Sequence, residues 1–148
     1  FSPEKRQSLV PMVKRVGEIA KAMGLPINFP DRMTSTLRAL LATEYAREHD
    51  KLRAFNYAVF HRFYGLGQDI GSWEVLRASA KEVGLDGDAM QSLIESGAYN
   101  AILEKWTVEA ANQGISEVPT YIINNSYAVV GAQPYEVFQL VLEQIAQE

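Results

Sequence analysis

The sequence predicts a mostly helical α/β protein that ends in a β-hairpin and one further helix. Two observations support this prediction. Apolar residues recur at the three- and four-residue spacing of amphipathic helices over most of residues 1–112. After Gly114 the pattern changes to two short runs rich in β-branched and aromatic residues, Thr120–Ile123 and Tyr127–Val130. We therefore expect a helical domain over residues 1–112 and a β-β-α segment over residues 113–148.

Composition excludes several classes of function. The 148 residues include 14 Lys and Arg and 18 Asp and Glu, so the net charge of −4 gives no basic field for nucleic acid or anionic membranes. No apolar run approaches the ~18 residues of a membrane span. The sequence contains no cysteine, which excludes a disulfide, a Cys-ligated metal and a thiol nucleophile within it. His49 and His61 lack the spacing of metal ligands, so we expect no metal site.

The first predicted helix begins near the N-terminus. Ser2 followed by Pro3 is typical of an N-cap and a first helical residue. Pro11 interrupts the apolar pattern, so either the helix kinks there or it begins near Ser8 with Pro11 in its first turn. Gly24 has the position of a helix C-terminal glycine.

The next two predicted helices follow an extended, proline-containing connection. Thr34 or Ser35 is expected to cap a helix that continues to about His49. The segment Lys51–Leu66 is apolar around most of its circumference, which predicts a central, buried helix. An exposed part of its aromatic stripe could instead bind a hydrophobic substrate.

Three shorter helices are then predicted from their apolar spacing and their flanking residues. Ser72 suits the N-cap of the first, and Asp86 or Asp88 suits the N-cap of the second. Glycines follow the first and third of these helices. The predicted ranges are Trp73–Val83, Asp86–Ser96 and Ala98–Asn112.

The C-terminal segment predicts a hairpin that needs further packing. Asn124, Asn125 and Ser126 suit a tight turn with positive φ between the two β-rich runs, and Pro134 suits the first turn of a final helix. Both runs are apolar at consecutive positions, which indicates a sheet covered on both faces. A lone hairpin is marginally stable. Additional strands from an upstream segment, a partner chain, or tightly packed helices are therefore expected.

The motif Val118-Pro119-Thr120 stands at the start of the first strand run. On local sequence alone a trans Val118–Pro119 bond is favoured, because only a few per cent of X–Pro bonds are cis. The longer pattern Gly114-Ile-Ser-Glu-Val-Pro-Thr-Tyr-Ile-Ile-Asn124, followed by Gly131-Ala-Gln-Pro134, resembles the C-terminal half of DsbA-type thioredoxin folds. It is most similar to the FrnE-like protein disulfide isomerases, and the upstream residues resemble the helical domain inserted in that family.

The resemblance implies a thioredoxin-like α/β fold with a large inserted helical domain. It also implies that Val118, Pro119 and Thr120 bind substrate, with a cis Val118–Pro119 bond and free backbone groups on Val118. The family's Cys-x-x-Cys motif has no counterpart here, so no catalytic residue can be assigned in this chain, and we expect the redox cysteines in an upstream segment. The implied partners are protein or peptide thiols and disulfides, and a homodimer or pairing with the upstream segment.

Two alternatives remain. One is a relative of 2-hydroxychromene-2-carboxylate isomerase or of kappa-class glutathione transferases, which would add glutathione where the first interpretation needs no cofactor. The other is a non-enzymatic helical module that binds hydrophobic peptides, which the absence of cysteine favours if the chain is complete. We expect a cytoplasmic location, with any targeting signal upstream of Phe1.

Overall fold

The structure is a computed structural model that describes the backbone of residues 3–28 and 34–147. The elements follow one another as α1 (Pro3–Ala22), α2 (Leu37–Glu48), α3 (Leu52–Phe60), a π-helical turn (His61–Gly65), α4 (Trp73–Glu82), α5 (Gly87–Glu95), α6 (Asn100–Asn112), β1 (Thr120–Ile123), β2 (Tyr127–Val130) and α7 (Tyr135–Ile145). The chain divides into two compact units, Phe1–Leu103 and Glu104–Glu148, with the division inside α6. This is the mostly helical fold with a C-terminal hairpin and helix that the sequence predicts.

Among the described residues, no helix combines the length and the apolar character needed to cross a membrane.

The first unit has its own apolar core. Phe55, Leu76 and Met90 are fully buried and come from α3, α4 and α5 respectively. Alanines on one face of α2 are also buried, and their small side chains allow neighbouring helices to approach closely. The ring of Tyr99 near the start of α6 completes the cluster, so this core joins α2 to α6.

The helix α3 is buried on one face only. Phe55, Ala58 and Val59 are buried, but the side chains of Tyr57 and Phe60 are 75% and 59% exposed. The prediction of a central, buried helix is therefore wrong for this segment. The reason is that α2 and α4 pack against α3 and cover only part of its surface.

The helix N-termini agree with the sequence in part. Helix α1 is continuous through Pro11, so the alternative start near Ser8 is wrong, and the predicted Ser2 cap lies outside the described residues. Helix α2 begins at Leu37 without a side-chain cap, which contradicts the predicted caps at Thr34 or Ser35.

Two N-caps were predicted for α4 and α5. Ser72 occupies the N-cap position of α4 but forms no capping side-chain hydrogen bond. Asp86 caps α5 as predicted, because its Oδ1 accepts the backbone N–H groups of Asp88 and Ala89 at 3.0 and 2.9 Å.

Within residues 3–28 and 34–147, five helices end in the same left-handed motif. In each, a residue with positive φ is followed by one whose N–H bonds back to the carbonyl five residues earlier, at 2.8–3.2 Å. Asp50, with φ 56°, is the one residue in this set that is not glycine. The positive-φ residues are Gly24, Asp50, Gly84, Gly97 and Gly114.

The π-helical turn after α3 is held by a residue far away in sequence. The N–H of Leu66 bonds to the carbonyl of His61 at 3.0 Å, which closes the wide turn. The backbone N–H of Asn28 bonds to the carbonyl of Tyr64, and its side-chain Nδ2 donates to the carbonyl of Gly65 at 2.5 Å. Asn28 thus satisfies two carbonyls at the end of the turn.

The second unit contains the hairpin in the predicted register. Strands β1 and β2 are antiparallel, with Thr120 opposite Val130 and Ile123 opposite Tyr127. Asn124 and Asn125 form the turn with φ values of 51° and 54°, as predicted. The ring of Tyr121 meets that of Phe138 edge-on, with centroids 4.9 Å apart, so this contact joins β1 to α7.

Candidate substrate-binding site

The candidate site is the loop that enters β1. The Val118–Pro119 peptide bond is cis, as the resemblance implies and contrary to the preference of the local sequence. Thr120 Oγ1 donates a hydrogen bond to the carbonyl of Glu117 at 2.6 Å, which ties the two ends of the loop together. The backbone N–H of Gly131 donates to the carbonyl of Pro119 at 2.8 Å, so the end of β2 supports the loop from the other side.

The residues after β2 form hydrogen bonds that stabilise the end of the hairpin next to the candidate site. Gly131 has φ 81°, a left-handed conformation that favours glycine, and this bend follows β2 directly. Gln133 Nε2 donates to the carbonyl of Val130 at 2.8 Å, and the backbone N–H of Gln133 donates to the carbonyl of Gly131 at 3.0 Å. The Gly-Ala-Gln-Pro motif is visible in the sequence, but its composition does not indicate that the Gln133 side chain bonds to the end of β2.

Val118 is the exposed member of the site. Its side chain is 89% exposed, and neither its N–H nor its C=O forms a hydrogen bond with the part of the chain that the structure describes. Because Val118 precedes β1 by two residues, these groups can pair with an extended peptide, as in β-strand addition. The three residues offer backbone groups and one hydroxyl, which suit recognition rather than bond cleavage.

A groove of about 420 Å³ lies elsewhere on the second unit. It follows β2 and the turn, with Gln113, Ile122 and Asn125 among its lining residues. Val118, Pro119 and Thr120 do not line this groove; Val118 and Pro119 are exposed and Thr120 is half-buried.

Neither histidine indicates a metal centre. His49 Nδ1 lies 2.8 Å from the carbonyl of Tyr45, and the imidazole packs on the Tyr45 ring at 4.2 Å between centroids. His61 lies in the π-helical turn. Within residues 3–28 and 34–147, no three His, Asp or Glu side chains are grouped so as to hold a metal ion.

Two tyrosines of the first unit have raised pKa values, and both are structural. Burial is the main cause of the raised pKa of Tyr99, and the hydrogen bond from its hydroxyl to Glu48 Oε2 at 2.7 Å adds to it. Burial also raises the pKa of Tyr45, with a smaller contribution from the charge of Asp86. Both side chains are buried in the core, so these shifts do not mark a catalytic group.

Comparison with known proteins agrees with this architecture. The family model for the DSBA-like thioredoxin domain matches residues 2–143. The solved structure of a probable DsbA oxidoreductase from Streptomyces coelicolor superposes with a TM-score of 0.81 at 28% identity, covering 100% of this chain and 63% of that one. The structure of a 2-hydroxychromene-2-carboxylate isomerase superposes with a TM-score of 0.82 at 18% identity, covering 96% of this chain and 69% of that one, which shows a shared fold.

Two curated relatives are similar in sequence. The uncharacterized protein YwbO of Bacillus subtilis is 32% identical over 124 residues, which is 82% of this chain and 62% of that protein. A 2-hydroxychromene-2-carboxylate isomerase of Sphingobium xenophagum is 29% identical over 129 residues, which is 84% of this chain and 65% of that protein. The chain therefore spans less than two thirds of the length of either relative. The extent of the family match and the hairpin that carries the Val-Pro-Thr loop establish that the chain belongs to the DsbA-like thioredoxin family.

Proposed function

We propose that this chain is the helical domain and C-terminal β-β-α part of a FrnE-like protein thiol–disulfide oxidoreductase or isomerase. Val118, Pro119 and Thr120 hold an extended stretch of the protein substrate beside the reacting sulfur atoms. The observation that carries this proposal is the exposure of Val118, whose backbone groups are unpaired within the described residues and which lies two residues before β1. Membership of the DsbA-like family and the similarity to a probable DsbA oxidoreductase support it.

The division of chemical roles follows from the composition. Disulfide exchange begins when a thiolate attacks one sulfur atom of the disulfide, which breaks the S–S bond, forms a mixed disulfide and releases the other sulfur as a thiolate. This sequence has no cysteine, so the thiolate must come from residues outside these 148. In this proposal, the Val118 N–H donates to a substrate carbonyl and the Val118 C=O accepts a substrate N–H, which aligns the substrate disulfide with that thiolate.

The test uses the isotopically labelled 148-residue chain and an eight-residue extended peptide in which serine replaces the reactive cysteine. Backbone NMR signals of Val118 and Thr120 should shift on titration. The same peptide with N-methylated backbone amides should shift them much less, because it cannot donate a hydrogen bond to the Val118 C=O. Shifts confined to other residues would contradict the proposed site.

An assay of the chain alone tests the proposed division of roles. Insulin reduction and refolding of a scrambled disulfide protein should both stay at background, since no residue here can form a mixed disulfide. Activity above background would mean that the chemistry has been assigned to the wrong residues.

A glutathione-dependent isomerase is the second candidate. It is favoured by the 29% identity to 2-hydroxychromene-2-carboxylate isomerase over 84% of this chain. Glutathione is a small peptide thiol, and its backbone can pair with Val118 in the same manner as a protein substrate. Titration with glutathione that shifts the Val118 signals, together with no response to the eight-residue peptide, would favour this candidate. A serine at the first position of the active-site motif of the whole protein would favour it as well.

We also propose that the hairpin acquires a further strand, from an upstream segment or a second copy of the chain. Ile122 and Val130 are 43% and 44% exposed on one face of the hairpin. The described part of the chain supplies a sheet of two strands, and neither strand has a neighbouring strand on its outer edge. Light scattering should show an oligomer or a co-purifying fragment. A monodisperse monomer would contradict this proposal without affecting the peptide titration.

A further inference from the structure

The exposed aromatic face of α3 forms one side of a groove in the first unit. The groove has a volume of about 1010 Å³ and is lined by the turn before α3, by α3 itself and by the end of α4. Tyr57 and Phe60 contribute the largest exposed apolar surfaces, and Leu52 and Val83 are partly buried beside them. We call these four residues, together with the charged residues around them, the α3 groove.

The core of the first unit does not account for this exposure. Phe55, on the opposite face of α3, is already fully buried against residues such as Leu76 and Met90. The aromatic rings of Tyr57 and Phe60 therefore lie outside a core that is packed without them. Aromatic side chains are enriched in protein–protein interfaces relative to the rest of a protein surface, so these two rings suit a protein partner.

The free charges around the α3 groove are mostly positive. Lys51 and Arg53 line it, and neither forms an ion pair or a side-chain hydrogen bond with the residues that the structure describes. Glu82 also lines it, but its carboxylate is held by Arg62 at 2.8 Å. Asp50 is the remaining acidic group of the lining, so two cations face one free carboxylate. This excess of positive charge lies on a chain of net charge −4.

The shape of the groove selects the kind of partner. Its walls are helices, and the described residues of the first unit contain no strand whose edge could pair with an extended peptide. Tyr57 and Phe60 are three residues apart on one helical face, and a partner helix can pack its own apolar ridge against such a row. At about 1010 Å³ the groove lies at the upper limit for small-molecule pockets, and its exposed rings leave it open to a larger partner.

We propose that the α3 groove binds an amphipathic helix of a partner protein, with apolar residues on Tyr57 and Phe60 and acidic residues facing Lys51 and Arg53. This binding mode resembles other helix-in-groove complexes, in which apolar anchors at positions i, i+3, i+4 and i+7 supply affinity. Opposite charge at the rim adds a contribution that increased salt weakens.

The test uses the 148-residue chain and a fluorescein-labelled, 16-residue helical peptide with leucines on one face and glutamates beside them. Fluorescence anisotropy should report saturable binding. The variants Phe60→Ala and Arg53→Glu should each weaken it about tenfold, as expected for an aromatic anchor and a reversed charge. Both residues are exposed, so circular dichroism should show unchanged helix content.

Control variants and a control peptide make the test specific. Leu37→Ala removes an equally exposed apolar side chain from α2, and Lys14→Glu reverses an exposed charge on α1. Neither lines the groove, so both should bind the peptide within about twofold of the original chain. A peptide with lysine in place of glutamate should bind at least about tenfold more weakly.

Two results would overturn the proposal. Equal binding of the acidic and the basic peptide would show that charge does not select the partner. Sedimentation showing that the chain dimerises, with Phe60→Ala abolishing the dimer, would show that a second copy occupies the α3 groove. Neither result depends on the peptide titration at Val118, so this proposal and the proposed function can fail separately.

Discussion

Replacing Tyr99 with phenylalanine should destabilise the first unit by an amount that depends on pH. The Tyr99 side chain is buried, and its hydroxyl donates a 2.7 Å hydrogen bond to Glu48 Oε2. Hydrogen bonds to charged groups contribute about 1.5–3 kcal/mol. The carboxylate of Glu48 is at the exposed end of α2 and regains water in the variant, so we expect the lower value. Tyr99→Phe should thus lower the free energy of unfolding at pH 7 by about 1.5 kcal/mol.

The pH dependence follows from the raised pKa of Tyr99. Its pKa in the folded state lies above the ordinary value of 10.0, mainly because of burial. The contribution of protonated Tyr99 to the free energy of unfolding is therefore complete below pH 10. It is lost as the pH rises from 10 towards the folded-state pKa. Ionisation of this tyrosine in the unfolded state therefore destabilises the original chain as the pH rises above 10, and the Tyr99→Phe chain has no such group. The difference between the two chains should therefore be about 1.5 kcal/mol at pH 7 and smaller at pH 11.

Urea unfolding followed by circular dichroism at pH 7 and pH 11 measures both quantities. Tyr57→Phe is the matched control, because the Tyr57 side chain is 75% exposed and its hydroxyl has no partner among the described residues. It should leave the urea midpoint unchanged at pH 7. An unchanged midpoint for Tyr99→Phe at pH 7, or a difference that stays constant up to pH 11, would refute the reasoning.

Three further substitutions test other parts of the structure by thermal or urea unfolding. Gly87→Ala should lower the free energy of unfolding by about 1–3 kcal/mol, because an added Cβ would lie 3.0 Å from the backbone Cα of Arg77. An increase in stability would contradict the packing of α4 on α5. Asp86→Ala should lower the free energy of unfolding by about 1 kcal/mol, because it removes the N-cap of α5. An unchanged free energy of unfolding would mean that the cap is not formed in solution. Gly131→Ala should lower the free energy of unfolding by about 1–2 kcal/mol, because Gly131 has a φ of 81°. It should also weaken binding of the extended peptide. Unchanged stability together with unchanged binding would contradict this prediction. Gly17→Ala, inside α1 with its nearest outside atom at 4.0 Å, is the control and should stabilise the chain by about 0.5–1 kcal/mol.

The features that the sequence predicts well are those determined by neighbouring residues. The turn at Asn124 and Asn125 follows from their tolerance of positive φ, and the register of the hairpin follows from that turn. The cap at Asp86 requires only a carboxylate beside the first N–H groups of α5. Helix ends at glycine depend equally on the local sequence. The end of α2 at Asp50 is an exception, because no glycine marks it in the sequence.

The features that the sequence misses depend on distant contacts. The π-helical turn is held by Asn28, which is 37 residues away from Gly65, and the composition of residues 61–65 gives no sign of it. The exposure of Tyr57 depends on which sides of α3 the neighbouring helices cover. At the candidate site, the pattern around Val118 identified the loop through the family resemblance, whereas local sequence favoured the wrong isomer of its peptide bond.

The division of the chain inside α6 implies that its two parts open at different free energies. Among the described residues, Val129 is the one apolar residue of the second unit that is buried, whereas the first unit has a continuous buried cluster from α2 to Tyr99. Cooperative opening of a segment requires less free energy where fewer apolar contacts must be broken. The loop at Val118 therefore lies in the part of the molecule that opens more easily. The loop can therefore change its conformation at a lower free-energy cost than the helical unit.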